Sequence, residues 1–256
     1  MSDQNALKKI RVRRPLVHCI SNIVSANDCA NLLLSVGASP MMAQAEEEMA
    51  DIAAISSAAV LNTGTPDAAR FRLCALRGAL AEARRTPVVL DPVGIGASSW
   101  RREQIASVLS AFRPSIVRVN LSEALTLLGS AARERGVDSD ADVGGEVGNC
   151  ARALARRLDA VVLLSGDTDF ISDGERSLSV CGGSAMMTAV TGSGCMLSAL
   201  CGAFAAVEPD AFQAACMAAR FWKNCASRAE KCASDRGPGS FRVALIDAAY
   251  QLSTEP

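Results

Sequence analysis

Residues able to do chemistry collect in a few short stretches of this chain. Five of them follow apolar runs: Ser21-Asn22, NTGT (Asn62 to Thr65), DPVGIGA (Asp91 to Ala97), RVNLSE (Arg118 to Glu123) and SGDTD (Ser165 to Asp169). A sixth, TGSGC (Thr191 to Cys195), opens the apolar run MLSALCGAFAAV. Small residues at Gly192 to Gly194 leave backbone N–H groups free to face an anion at a helix start. The same letters also describe an ordinary glycine turn capped by Thr191 or Ser193. Cys195 puts a thiol where a phosphate-cradling loop would more comfortably carry an acid. Asp91 ends an apolar strand before Pro92; it either holds hydrated Mg2+ near phosphates or closes a strand-end turn. Asn120 and Glu123 have the N-cap and N3 spacing of a capping box. Arg118 interrupts an apolar strand, SIVRVN, and a buried guanidinium needs an acid or a phosphate as partner. Neither the Walker A spacing nor a complete dinucleotide fingerprint is present.

These stretches make sense if apolar strands present them at one edge of a sheet. The strand candidates are Val17–Ser21, Ala59–Asn62, Val88–Asp91, Ile116–Asn120 and Val161–Ser165. They are almost continuously apolar, as strands covered on both faces are. Helical patterns separate them. The clearest runs from Pro66 to Arg85, with Thr65 as N-cap, a buried stripe of Leu73, Leu76 and Leu80, and Arg70, Arg72, Arg77 and Arg84 on the wet side. Strand–helix alternation predicts an α/β fold: three-layer α/β/α with a mainly parallel central sheet. In such sheets ligands bind beyond the C-terminal strand ends, where the five stretches fall. Asp169 to Val180 reads as a hairpin around Asp173-Gly174, and the chain from Gly192 onward reads as helical. One domain, 1–256, is the simplest count, with residues 1–14 as a flexible N-terminal extension.

Composition removes several function classes. The chain has 256 residues, a formal net charge of −1 and 4% aromatic residues, which favours neither nucleic acid nor a membrane surface. Ten cysteines without a C-x-x-C pair, and a single histidine, exclude zinc-site spacing. Most of the cysteines sit in helical apolar patterns, which points to free thiols in a reducing compartment, the cytoplasm. The uncharged span from Ser177 to Val207 is long enough for a bilayer, but its glycines and hydroxyls read better as buried strand, glycine turn and buried helix. A cysteine-nucleophile hydrolase would need a base. His18, the only histidine, lies inside a strand and reads as a core residue. Met41-Met42 either lines an apolar pocket or fills core.

Taken together, PLVHCISNIVSANDCANLLLSVGASPMMAQAEEEM, LNTGT, VVLDPVGIGA, IVRVNLSEALTLLG, SGDTDFISDG, VTGSGC and GPGSF resemble the blocks of the hydroxyethylthiazole kinases, in that family's order, from about Pro15 to near the C-terminus. The resemblance implies a ribokinase-like fold and ATP-dependent phosphorylation of 4-methyl-5-(2-hydroxyethyl)thiazole, with Mg2+, in a homotrimer whose sites lie at subunit interfaces. It implies substrate contacts at Met42, Gly192, Asn22 and Val24, and ATP contacts at Arg118 and Ser165. Metal and phosphates would be handled at Asp91 and Glu123, and catalysis at Cys195 with Gly192 and Gly194. Many ribokinase-like enzymes end the glycine turn in a catalytic Asp, whereas these kinases resemble this chain in carrying Cys. Ser165 stands where Thr is commoner, Leu121 replaces a small residue, and RFWKNCASRAEKC is less typical. Alternatives of the same fold are a kinase for another small heterocyclic alcohol or a nucleotide-hydrate dehydratase. A non-catalytic binding protein would consume no ATP.

Overall fold

The structure, a computed structural model, describes residues 3–129, 143–233 and 235–255. Eight strands form one sheet: β1 (Leu16–Ile20), β2 (Ser39–Met41), β3 (Ala58–Asn62), β4 (Val88–Asp91), β5 (Ile116–Val119), β6 (Val161–Leu164), β7 (Asp169–Ser172) and β8 (Ser177–Val180). Their order is β2-β1-β3-β4-β5-β6-β7-β8. The first six run parallel, and β7 and β8 are added as an antiparallel hairpin.

Helices cover both faces because the strands are apolar on both. Val17, Cys19, Val60, Val89, Ile116 and Leu163 face one core, packed by α1 (Asp3–Arg13), α2 (Ala26–Ser35), α8 (Ser193–Ala205), α9 (Ala211–Ala233) and α10 (Pro238–Thr254). The alternate residues, among them Ile20, Leu61, Leu90, Val117 and Leu164, face a second core. It is packed by α3 (Met49–Ile55), α4 (Ala68–Arg84), α5 (Ser99–Ala111) and α7 (Val143–Leu158), while α6 (Leu121–Leu128) follows β5. This is the three-layer α/β/α arrangement expected from the strand–helix alternation. No helix of the described residues is long and apolar enough to cross a membrane.

Several expectations need correction. Residues 3–13 form helix α1 rather than a flexible extension. Ala6, Leu7 and Ile10 make a helical stripe buried in the core, and Arg11 reaches the Ser35 and Ser253 carbonyls at 2.8 and 2.9 Å. β2, containing Pro40, is a short edge strand that no alternation announces. β8 lies at the opposite edge, with Ser177, Leu178 and Ser179 exposed and Val180 buried, so the long buried stretch of the uncharged span is α8. Helix α4 starts later than expected: Asp67, not Thr65, is its N-cap and accepts from the Arg70 N–H at 2.7 Å.

The buried face of α4 is also rotated from the leucine stripe. It carries Phe71, Leu73, Cys74, Arg77, Gly78 and Ala81, while Leu76 and Leu80 are only partly buried. Gly78 is there because a Cβ would come within 2.0 Å of the Phe112 ring. Arg77 is fully buried, and its Nε donates to His18 Nδ1 at 2.8 Å. The network therefore assigns the hydrogen to His18 Nε2, which donates to the Ala43 carbonyl at 2.9 Å.

His18 is thus a core histidine held neutral. Burial lowers its pKa to about 4; the bond to Ala43 opposes the shift and the Arg77 charge adds to it. Between that value and about 6.5, the unfolded chain binds more protons than the folded one. Stability should therefore fall as pH drops through this window, by roughly 1.4 kcal/mol per unit for one proton. Urea unfolding of the wild type and of His18→Asn, whose Oδ1 can accept from Arg77, should show the slope reduced by that amount in the variant. Parallel curves would sink the neutral-imidazole assignment.

Candidate active site

The C-terminal ends of β1, β3, β4, β5 and β6 and the N-terminus of α8 meet at one place. Asp91, the last residue of β4, is its centre and is fully buried. Its Oδ2 accepts from Asn62 Nδ2 at 2.9 Å and from Ser198 Oγ at 2.7 Å. Its Oδ1 lies 3.7 Å from Arg118 Nη1 and accepts no hydrogen bond. Burial raises the Asp91 pKa; Arg118 is the largest opposing influence, followed by the Ser198 bond.

Cys195, in the first turn of α8, is tied to this carboxylate. Asn62 Nδ2 lies 3.2 Å and Asn22 Nδ2 3.1 Å from its Sγ, and Asn22 Nδ2 also donates to Asn62 Oδ1 at 3.2 Å. A helix N-terminus alone would lower the thiol pKa. Here burial raises it, with the Asp91 charge adding to that, against the carboxamide bonds. The thiol therefore stays protonated at neutral pH.

The glycines of TGSGC have separate reasons. Gly192 is the N-cap of α8 at φ 80°, a left-handed conformation that disfavours side chains. A Cβ there would also lie 2.6 Å from Ser25 Cβ. Neither Thr191 nor Ser193 caps the helix through its side chain. A Cβ on Gly194 would sit 2.4 Å from Arg118 Nη2, so only glycine lets the guanidinium lie against the helix start.

Beyond Arg118 the surface opens into a cleft of about 640 Å3 between the segments 165–169 and 182–188. Arg118, Ser165, Ser193 and Gly194 line the end nearest Asp91, and Trp222 and Lys223 of α9 form part of its wall. Arg118 Nη2 donates to Ser165 Oγ at 2.5 Å.

The expected site residues divide accordingly. Asn22, Asp91, Arg118, Ser165, Gly192, Gly194 and Cys195 are brought together. Glu123 lies beside them in a structural role: its Oε1 accepts from the Gly94 N–H and its Oε2 from the Asn120 N–H, both at 2.9 Å, completing the capping box of α6. Met42 follows β2 and is half-buried against the α8-side core, while Val24 is exposed; neither belongs to the hydrogen-bonded network. From the sequence, Asn62 enters only as part of NTGT, Lys223 only within the less typical RFWKNCASRAEKC, and Ser198 only within the apolar run MLSALCGAFAAV. Asn62 closes an apolar strand, and Ser198 stands one turn beyond Gly194, which are the available signals.

The chain matches the hydroxyethylthiazole kinase family over residues 7–255. It belongs to that family. A curated relative, hydroxyethylthiazole kinase of Listeria monocytogenes, is 43% identical across 100% of this chain and 94% of its own length. The solved structure of a hydroxyethylthiazole kinase protein from Pyrococcus horikoshii OT3 superposes with a TM-score of 0.88 at 37% identity, covering 97% of this chain and 92% of that one. A ribokinase-like superfamily protein from Enterococcus faecalis shares the fold alone, with a TM-score of 0.65 at 12% identity over 100% of this chain and 96% of that one. The family's fold is the one that gathers Asp91, Cys195 and Arg118 at the strand ends.

Because burial holds Cys195 as a thiol, it should alkylate slowly despite its position at a helix start. Timed iodoacetamide labelling at pH 8 with peptide mapping should modify exposed Cys181 and Cys232 first. Their rates should exceed that of Cys195 by about tenfold or more, since only the thiolate reacts. Preferential labelling of Cys195 would show a thiolate there instead.

Proposed function

We infer that this chain transfers the γ-phosphoryl group of ATP to the primary alcohol of 4-methyl-5-(2-hydroxyethyl)thiazole, a step of thiamine synthesis or salvage. The family match over residues 7–255 carries the reading. The site supports it: a cleft suited to a nucleotide adjoins a buried carboxylate and a thiol, with Arg118 between them. In this reading ATP occupies the cleft along Ser165 and Arg118. The thiazole lies on the Cys195 side, near Asn22, Val24 and Met42.

Phosphoryl transfer is mainly positioning and charge stabilisation. The amides of Gly192 to Cys195 point from the α8 N-terminus toward the transferring group, and Arg118 balances negative charge beside it. Asn22 and Asn62 fix the sulfur. The alcohol proton can leave late in the transfer; Cys195 can accept it only in the small fraction present as thiolate, so burial, which keeps that fraction small, makes it a helper rather than an essential base.

Asp91 Oδ1, buried and without a hydrogen-bond donor, fits a carboxylate reserved for a cation. Among the described residues no group of three acidic, histidine or cysteine side chains forms a cage. That matches Mg2+, which is commonly held by one or two carboxylates together with substrate phosphates and water. Asp91 would hold it, with Glu123 as a second, less available carboxylate because both its oxygens already accept N–H groups. Bound Mg2+ would neutralise charge on the phosphates.

A homotrimer with sites closed at subunit interfaces is part of the same proposal. Ile23 and Val24, next to Asn22, are 78% and 58% exposed, an apolar rim that a second subunit would cover. A cytoplasmic location accords with ten free cysteines.

Purified protein with Mg-ATP should release ADP only when the thiazole alcohol is present, and the product should gain the mass of one phosphate. Cys195→Ala should lower kcat by about tenfold with KM little changed, toward the low end for loss of a general base. Cys195→Asp should retain or raise activity and move the alkaline rise of kcat to lower pH. A trapped covalent phosphoenzyme on Cys195 would overturn the base role. Sedimentation should give a three-chain mass; a fully active single-chain species would refute the interface site.

A further inference from the structure

Helix α9 carries a lysine almost out of solvent at the back of the cleft. The Lys223 side chain is 8% exposed. Its Nζ donates to the Gly166 carbonyl at 2.7 Å and the Asp167 carbonyl at 2.8 Å, and lies 3.3 Å from Asp169 Oδ1. Three donors thus meet three acceptors, all in the segment that follows β6. Asp169 also accepts from the Gly166 N–H at 3.0 Å, which closes the segment on itself.

The opposite wall is held by the same helix. Gly183, at φ 93°, passes so close that a Cβ would lie 2.9 Å from Lys223 Cδ. Ser227, one turn on, accepts from the Gly183 N–H at 3.1 Å and donates to its carbonyl at 3.2 Å. Glu230 accepts from Ser184 Oγ at 2.7 Å. Positions 223, 227 and 230 follow the i, i+4, i+7 spacing of one helix face. That face therefore fastens both walls of the cleft.

We propose that Lys223 is a positioning residue for the nucleotide cleft: its ammonium fixes the 165–169 wall, and with it Ser165 and Arg118, in the arrangement that receives ATP. The proposal rests on reading the cleft as the ATP site. It differs from a packing role because the cost of removal falls on one substrate. Without the ammonium, three carbonyl or carboxylate oxygens lose their common donor and the wall must be ordered by the incoming nucleotide. ATP binding then bears that ordering cost, while the thiazole site, built from β1, β3 and α8, does not.

Two variants test this by steady-state kinetics. Lys223→Met keeps the stem beneath Gly183 and removes only the charge; KM for ATP should rise roughly tenfold, with kcat and the thiazole KM within about twofold. Lys223→Ala leaves space for the missing atoms, and added propylammonium should lower its ATP KM again, whereas tetramethylammonium, which has no N–H donor, should not. An unchanged ATP KM in Lys223→Met, in a wild type that turns over ATP, overturns the proposal alone. A loss of kcat, thiazole KM and melting temperature together, with no amine rescue, makes Lys223 structural and overturns it as well. A wild type without ATP turnover overturns the ATP reading itself, and this proposal with it.

Discussion

A carboxylate without solvent contact stands at the meeting point of five strand ends, and its neighbours answer the cost of keeping it there. Burying a charge is expensive unless it is paired and hydrogen-bonded. Asp91 draws one partner from β3, one from β5 and one from α8: Asn62, Arg118 and Ser198. Each of those residues is then committed to a geometry that serves a second contact. Asn62 shares its amide with Cys195, and Arg118 turns its other nitrogen to Ser165. The parallel sheet is what makes this possible, because it delivers the ends of β3, β4, β5 and β6 to one edge in register.

The glycine turn belongs to the same constraint. Arg118 can approach Asp91 only by lying against the start of α8, and Gly194 gives it that room. The helix behind the turn is buried from Met196 to Ala205 and, Ser198 apart, carries no polar side chain there, so its N-terminus cannot shift to relieve a clash. A rigid helix start aimed at a guanidinium is a fixed pair of positive features, suited to phosphate on both counts. The electrostatics of the cleft are therefore set by packing far from the cleft.

Legibility in the sequence followed how local the deciding interaction is. Continuous apolar runs revealed five of the six parallel strands within a residue or so, because burial on both faces leaves that signature; the edge strand β2 lacks it. The capping box of Asn120 and Glu123 is a contact between neighbours and was legible for the same reason. The N-terminal helix was obscured by its basic residues, although Ala6, Leu7 and Ile10 have helical spacing. The face of α4 is legible only in Leu73, because leucines suggest burial more strongly than Cys74, Gly78 and Arg77 do. The partner of the buried Arg77 Nε, His18, stands 59 positions away in sequence. Lys223 is a similar case: a lysine in an apolar helix face has no visible partner until the hairpin segment is folded against it. At the site, residue types at strand ends pointed to the right edge of the sheet, while the pairing of Asn62 with Cys195 needed the fold.

The same geometry explains why a thiol is compatible with position 195. The side chain there lies in the field of the Asp91 charge, partly desolvated, with two carboxamides around it. A carboxylate in that place would add a second negative charge close to the first, and one of the two would be pushed toward its protonated form. A thiol avoids that repulsion by staying neutral, which favours the folded, unliganded protein. The same neutrality makes it a poor proton acceptor. An acid at this position would have its pKa raised toward neutrality, which suits a general base but adds an unfavourable charge pair to the resting site. Thiol and carboxylate thus settle one electrostatic conflict in opposite ways: the first favours the stability of the resting site, the second the proton transfer.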